Sequence, residues 1–290
     1  MEDLTGRFEA HRGHLRAVAY RMLGSLSEAD DAVQETWLRL SRSDVSDVRN
    51  LGGWLTTVIG RICLDLLRSR ASRREEPLDV RIPDPIIASA DGTDPEQEAV
   101  RTDSVGLALL VVMDTLSPAE RLAYVLHDMF AVPFDEIGPI VGRSKDAAKM
   151  LASRARRRVE DANAVPDTDL PRQRRAADAF LAAARGGDFD ALVAVLDPDV
   201  VLRGDFGDLR PSELIRGARN VAEGAVRFAE AALHSRPVLV NGVPGLVTAP
   251  DGQPLSVMAF TVRGGRITQI DVLADPARLG RLDLTAFGSP

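Results

Sequence analysis

Seven basic residues crowd one short stretch of this chain: Arg143, Lys145, Lys149, Arg154, Arg156, Arg157 and Arg158, offset there only by Asp146, within a chain whose net charge is −7. Closely spaced guanidinium and ammonium groups do one kind of chemistry well. Each neutralises a nucleic-acid phosphate and releases condensed counterions, which adds affinity without reading sequence. The residues just ahead supply a scaffold. Phe134, Ile137, Ile140 and Val141 recur at the spacing of one helical face, Gly142 can take the left-handed conformation of a tight turn, and Ser144 stands where it caps a following helix. A short apolar helix, a glycine turn and a basic helix in succession are the pattern of a helix-turn-helix. The same residues also fit a plain helical hairpin with a solvated basic face.

Two further groups of residues sit at spacings that suit recognition. In Ser27–Leu40, one helical stripe of Ala29, Val33, Trp37 and Leu40 points to a core. Asp31, Gln34, Glu35 and Leu38 form a second stripe, acidic around one leucine, which suits the grip of a partner helix or, more plainly, a solvated face. From residue 48 to 75, Leu55, Ile59, Ile62 and Leu66 take one side of a long helix and leave Thr57, Arg61, Asp65 and Arg68 on another, with arginines again at 70, 73 and 74. Asn50 and Trp54, at its start, bring an amide and an indole, groups that hydrogen-bond and stack an unpaired base. Asn50 as a cap and Trp54 as core are the structural alternatives. Near the other end of the chain, Asp205 and Asp271, and less so Asp199, are candidates for acid–base chemistry in an apolar cavity; a turn after Pro198 explains Asp199 without chemistry.

The elements that must position these groups fall into segments. Residues 4–75 read as helices with breaks at Gly24–Ser25 and across 41–50, and residues 103–161 as the helical domain that holds the helix-turn-helix. Between them, 76–102 carries Pro77, Pro83, Pro85, Gly92 and Pro95 among acids and reads as a linker; ten acids between Glu76 and Glu120 face only Arg81 and Arg101. A second linker, 162–171, ends at Pro171. Residues 172–285 change class. Helices at 172–185, 188–196 and 217–233 are followed by the strand-like runs RPVLVNG, GLVTAP, LSVMAFTV and RITQIDVLA, an α+β domain with a curved antiparallel sheet around a cavity. Composition narrows the chemistry. One cysteine, Cys63, excludes an intrachain disulfide and a cysteine-rich zinc site, and His11, His14, His127 and His234 are not grouped as ligands, so neither metal nor cofactor is expected. With no long apolar run and a polar start, MEDLTGRFEAHRGH, the expected location is the cytoplasm, away from membrane.

Three motifs together resemble the extracytoplasmic-function sigma factors of the sigma-70 family: AYRMLGSLSEADDAVQETWLRL (19–40), VRNLGGWLTTVIGRICLDLLRSRASRRE (48–75) and LSPAERLAYVLHDMFAVPFDEIGPIVGRSKDAAKMLASRARRRV (116–159). They are similar to sigma regions 2.1–2.2, 2.3–2.4 and 4, in family order. The resemblance implies two all-α domains and two partners, core RNA polymerase, through its β′ coiled coil and β flap, and promoter DNA. Asp31, Gln34, Glu35 and Leu38 fall where such factors grip the β′ coiled coil. Asn50, Trp54, Thr57, Arg61 and Asp65 fall where the −10 element is melted and captured. Ser144, Lys145, Ala148, Lys149 and Arg154 fall on the helix that enters the major groove at the −35 element, with Arg156 and Arg157 placed for phosphates; Met150 and Leu151 depart from the polar groups usual there. The family's activity is promoter specificity lent to a polymerase, with no catalysis of its own.

The rest of the chain resembles a SnoaL-like domain, through RQRRAADAFLAAARGGDFDALVAVLDPDVVL (172–202), IRGARNV and VNGVPG. The resemblance is to sigma factors that carry such a domain behind region 4 as a built-in regulator, contacting the sigma domains and docking on a proline-containing linker, here RIPDPI (81–86). The glycine-rich motif usual before IRG is replaced by GDFGDLRP (204–211). Two other readings remain open: a ligand-sensing helix-turn-helix regulator, and a SnoaL-like isomerase or cyclase fused to a DNA-binding module.

Overall fold

A computed structural model describes residues 2–45, 48–73, 81–90, 105–162 and 164–282, without the side chains of residues 2, 3 and 73. Arg74, most of the acidic run and residues 283–285 of the expected C-terminal domain lie outside the described residues. The chain divides into two compact units, Met1–Pro77 with Val112–Ala162, and Leu78–Val111 with Asn163–Pro290. Both segments that resemble sigma regions thus share one unit, and the segment read as a linker belongs with the C-terminal residues.

In the first unit, α1 (Glu2–Leu23), α2 (Leu26–Arg42) and α3 (Leu51–Arg73) pack on one another. The expected core stripe of α2 is buried at Ala29, Val33 and Leu40, and the half-buried Trp37 lies 5.1 Å from the Phe8 ring. In α3, Leu55, Ile59 and Ile62 are buried, each contributing about 1.5–3 kcal/mol, while Leu66, expected on the same side, is exposed. After α4 (Leu107–Asp114), α5 (Pro118–Tyr124) starts at a capping box. Ser117 accepts from the Glu120 N–H, and the Glu120 carboxylate accepts from the Ser117 N–H. It continues into one wider turn of π-helix, Val125–Met129. The helix-turn-helix follows as α6 (Phe134–Val141) and α7 (Lys145–Asp161).

Its turn is built on two glycines. Gly142 has φ 69° and ψ 38°, left-handed as expected. Gly138 lets the chain fold back tightly, because a Cβ there would lie 2.9 Å from the Arg143 carbonyl oxygen.

In the second unit, α8 (Leu170–Gly186), α9 (Phe189–Val195), α10 (Ala218–Arg227) and α11 (Ala229–Leu233) accompany a seven-stranded sheet, and α12 (Pro276–Leu279) follows its last strand. The strands are β1 (Ile87–Ser89), β2 (Leu196–Asp205), β3 (Glu213–Arg216), β4 (Ser235–Val240), β5 (Val243–Thr248), β6 (Ser256–Arg263) and β7 (Arg266–Leu273). Their order is β1-β4-β5-β6-β7-β2-β3. The sheet is mixed where an antiparallel one was expected, since β2 and β7 run parallel, with a register shift between Leu196 and Val201. The intervening strands give the chain the long return that a parallel pair requires. Helices and sheet meet in a core that includes Phe180, Leu192, Val221, Phe260 and Ile270, with the two phenylalanine rings 5.1 Å apart. Other features also differ from the sequence reading. The helix expected at 217–233 breaks at Phe228, and β1, β2 and β3 are strands beyond the four expected runs, β1 within the expected linker.

Candidate nucleic-acid interface

Ser144 caps α7, its hydroxyl accepting from the Ala147 N–H at 3.2 Å. From there a 3.6-residue period sorts the helix into two faces. Ala148, Ala152, Ala155 and Val159 are buried, and α7 packs on α5 and α6. Ala148 is fully buried, which corrects its assignment to the DNA-facing side: it belongs to a stripe of small residues that lets helices approach closely, and no base edge can reach it. About 180° around the helix stands Met150, 56% exposed, with Arg154 and Arg157 beside it.

The basic residues are not equivalent. Arg156 donates to Asp128 through Nε at 2.9 Å and Nη2 at 2.6 Å, a pairing that raises the guanidinium pKa further. Arg158 Nη1 pairs with Glu120 at 3.1 Å, and Lys145 Nζ lies 3.6 Å from Asp135, both groups well exposed. Lys149, Arg154 and Arg157 are exposed and make no ion pair with another described residue.

On α2, Asp31, Gln34 and Leu38 are exposed and Glu35 is half-buried, bonded to Arg39 Nε at 2.9 Å. They form one side of the helix, opposite the buried Ala29, Ala32, Val33 and Leu40. At the start of α3, Asn50 caps the helix: its side-chain oxygen accepts from the Gly53 N–H at 3.0 Å, and the residue is exposed. Trp54 is half-buried, neither core nor free surface. Thr57 donates to the Gly53 carbonyl at 3.0 Å, and Arg61 and Asp65 are exposed further along, Asp65 with Arg68 at 3.7 Å. Trp54, Thr57, Arg61 and Asp65 thus make a continuous stripe with the cap at its head.

In the second unit the linker run is stitched to the sheet. Arg278, on α12, donates to Asp84 through Nε at 3.0 Å and Nη2 at 2.5 Å, to the Ile82 carbonyl at 2.6 Å, and to Asp205 through Nη1 at 2.7 Å. Asp205 also accepts from the Ile82 N–H at 3.0 Å. The Ile86 N–H donates to Asn241 Oδ1 at 2.9 Å while the Asn241 N–H donates to the Ile86 carbonyl at 2.7 Å. Beyond them, β1 pairs with β4, and Arg174 Nη2 donates to the Ala90 carbonyl at 2.8 Å. Ile82, Pro83, Pro85 and Ala88 are buried. Neither Arg278 nor Asn241 was singled out from the sequence, since the linker residues they bond lie more than 130 positions away.

The carboxylates considered for catalysis are otherwise engaged. Asp205 holds Ile82 and Arg278, and Asp271, its pKa raised by burial and pulled back by Arg203, pairs with Arg203 at 3.2 Å. Neither lines the cavity of this unit, and Asp199 is exposed. Among the described residues no cluster of three or more histidine, cysteine or acidic side chains could hold a metal, and no helix is long and apolar enough to cross a membrane.

Comparison with known proteins bears on the whole chain. Residues 7–73 match the family described as Sigma-70 region 2. The chain is 38% identical over 286 residues to the ECF RNA polymerase sigma factor SigJ of Mycobacterium tuberculosis, covering 93% of this chain and 91% of that protein. It is 34% identical over 285 residues to the probable ECF RNA polymerase sigma factor SigI of the same species, covering 97% and 96%. The crystal structure of M. tuberculosis SigJ superposes with a TM-score of 0.77 at 36% identity, covering 94% of this chain and 97% of that one. With helical sigma segments followed by a SnoaL-like mixed-sheet domain, the chain belongs to the extracytoplasmic-function RNA polymerase sigma factors.

Proposed function

We propose that this sigma factor grips core polymerase through Asp31, Gln34, Glu35 and Leu38, and captures the −10 strand with Trp54, Thr57, Arg61 and Asp65 below the Asn50 cap. It meets −35 DNA with Lys145, Lys149, Arg154 and Arg157, while Ser144 acts first as a cap and Arg156 contributes less because of Asp128. The observation that carries the DNA assignment is the exposure of three cations of α7, Arg154 and Arg157 on the side away from its buried alanine stripe and Lys149 on the flank between the two. The SnoaL-like domain regulates initiation in cis by its hold on residues 81–90, a reading supported by the Arg278 bonds to Asp84 and Ile82. It does so without catalysis of its own, and the factor works in the cytoplasm, where the polymerase is.

Run-off transcription with bacterial core polymerase and the promoter upstream of its own gene tests the assignment. The Asp31→Lys/Glu35→Lys double variant loses core binding by about tenfold or more and initiates accordingly less, because like charge then faces the partner's basic groups. Its promoter-DNA binding in the absence of polymerase stays at the parental level. Undiminished polymerase binding by that variant rejects the α2 interface.

A further inference from the structure

A cavity of about 370 Å³ opens in the second unit between α8, α10 and the sheet. At about 30 Å³ per water-sized group it holds roughly a dozen such groups, within the range of small-molecule sites. Its wall is mostly hydrocarbon. Three of its lining residues, Leu209, Phe228 and Leu255, are also among the most exposed large apolar side chains, at 70%, 63% and 48%, and they mark the mouth. Apolar groups left in water around an apolar cavity indicate something that covers them.

The polar groups on the lining narrow what that is. At the mouth, Arg210 is already paired with Glu213 at 3.2 Å and lies 3.4 Å over the Phe206 ring, so its charge is met within the chain. On the buried part of the wall, the Ser235 and Thr248 hydroxyls lie 2.7 Å apart. A mutual bond uses only one of their two O–H donors, and no other described side-chain bond takes up the second. An ionised guest would be stripped of water against hydrocarbon, and Arg210, the one cation among the described lining residues, is already paired.

We propose that this cavity binds an uncharged, largely hydrocarbon molecule of about a dozen heavy atoms bearing one hydrogen-bond-accepting oxygen, such as a ketone, which the Ser235–Thr248 pair receives. The site is independent of the polymerase and promoter assignments, and its test involves neither.

Three shape-matched probes, each a β-substituted naphthalene, test it by calorimetry on the full chain: acetylnaphthalene, ethylnaphthalene and naphthoate. Acetylnaphthalene binds saturably at one site, ethylnaphthalene binds roughly three- to tenfold more weakly for want of the oxygen, and naphthoate more weakly still. The Ser235→Ala/Thr248→Val variant removes the preference for the ketone over the hydrocarbon. Gly224→Trp abolishes binding, because a Cβ at Gly224 meets nothing within 4 Å and the ring projects into the cavity. Ala231→Trp, on the shorter helix at the same cavity, does the same should the first variant fold poorly. The proposal is overturned by the lack of saturable ketone binding, by ketone binding that a folded cavity-filling variant leaves intact, or by naphthoate binding as tightly as the ketone.

Discussion

Charge on α7 divides residue by residue according to what each cation already holds. Lys149, Arg154 and Arg157 can give their full charge to phosphates, whereas Arg156 and Arg158 are each held by a carboxylate. Replacing any of the first three with glutamine lowers the slope of log affinity against log salt by about 0.9, uniformly across promoter sequences, and Arg156→Gln lowers it by distinctly less. Equal slope changes for Arg156 and Arg157 would show that the Asp128 pair opens on DNA. At this scale the sequence was legible in part. The basic residues and the Ser144 cap could be read directly, and so could the spacing of Ala148, Ala152, Ala155 and Val159. The resemblance placed Ala148 on the DNA side, and its complete burial puts it instead in the stripe with Ala152, Ala155 and Val159. Met150, at the centre of the exposed face, could have been found from the same helical period.

Helices, read from periodicity and caps, were legible from the chain because their bonds are local; β1 was not. Its three residues owe their conformation to β4, about 150 positions downstream, and to the Arg278, Asp205 and Asn241 side chains that hold the approach to it. The composition of a proline-rich acidic stretch without apolar periodicity gives no sign of a strand partner, and the resemblance that marked RIPDPI (81–86) as a docking run named none of these side chains. The energetics make this short element responsive. Arg278 serves Asp84 and Asp205, all three less than a fifth exposed, so Arg278→Ala withdraws a shared cation from two largely buried carboxylates at a cost of about 3–5 kcal/mol. Hydrogen exchange at the amides of residues 82–89 then accelerates by at least tenfold while that of α7 stays at its parental rate. Run-off transcription by the same variant departs from the parental level if the domain regulates through this segment. Faster exchange with unchanged transcription would refute that regulation.

Over the whole molecule, the packing of regions 2 and 4 into one unit has to be reconciled with a promoter. Arg121, 2% exposed on α5, donates to the Arg21 carbonyl of α1 at 3.2 and 3.0 Å, and the His14 ring meets Phe130 edge-on at 5.0 Å. Elements named for positions about 25 base pairs apart lie roughly 85 Å apart along a duplex at 3.4 Å per base pair. The two regions must therefore separate before both can be engaged. Donor and acceptor dyes on cysteines introduced at Arg42 and Arg157 report high energy transfer in the free chain and low transfer on core polymerase. Cys63, buried and with its thiol pKa pushed up to about 12, stays unlabelled. High transfer retained in the polymerase complex would contradict the opening. A different liability follows from the sheet order, in which β1 shields β4 at one margin. When residues 81–90 peel away, the outer edge of β4 at Val238–Val240 loses its partners on that side, while its bonds to β5 remain, and becomes a template for any passing extended chain. The latch is therefore also a guard against self-association, and a factor held in its released form becomes harder to keep monodisperse as its concentration rises.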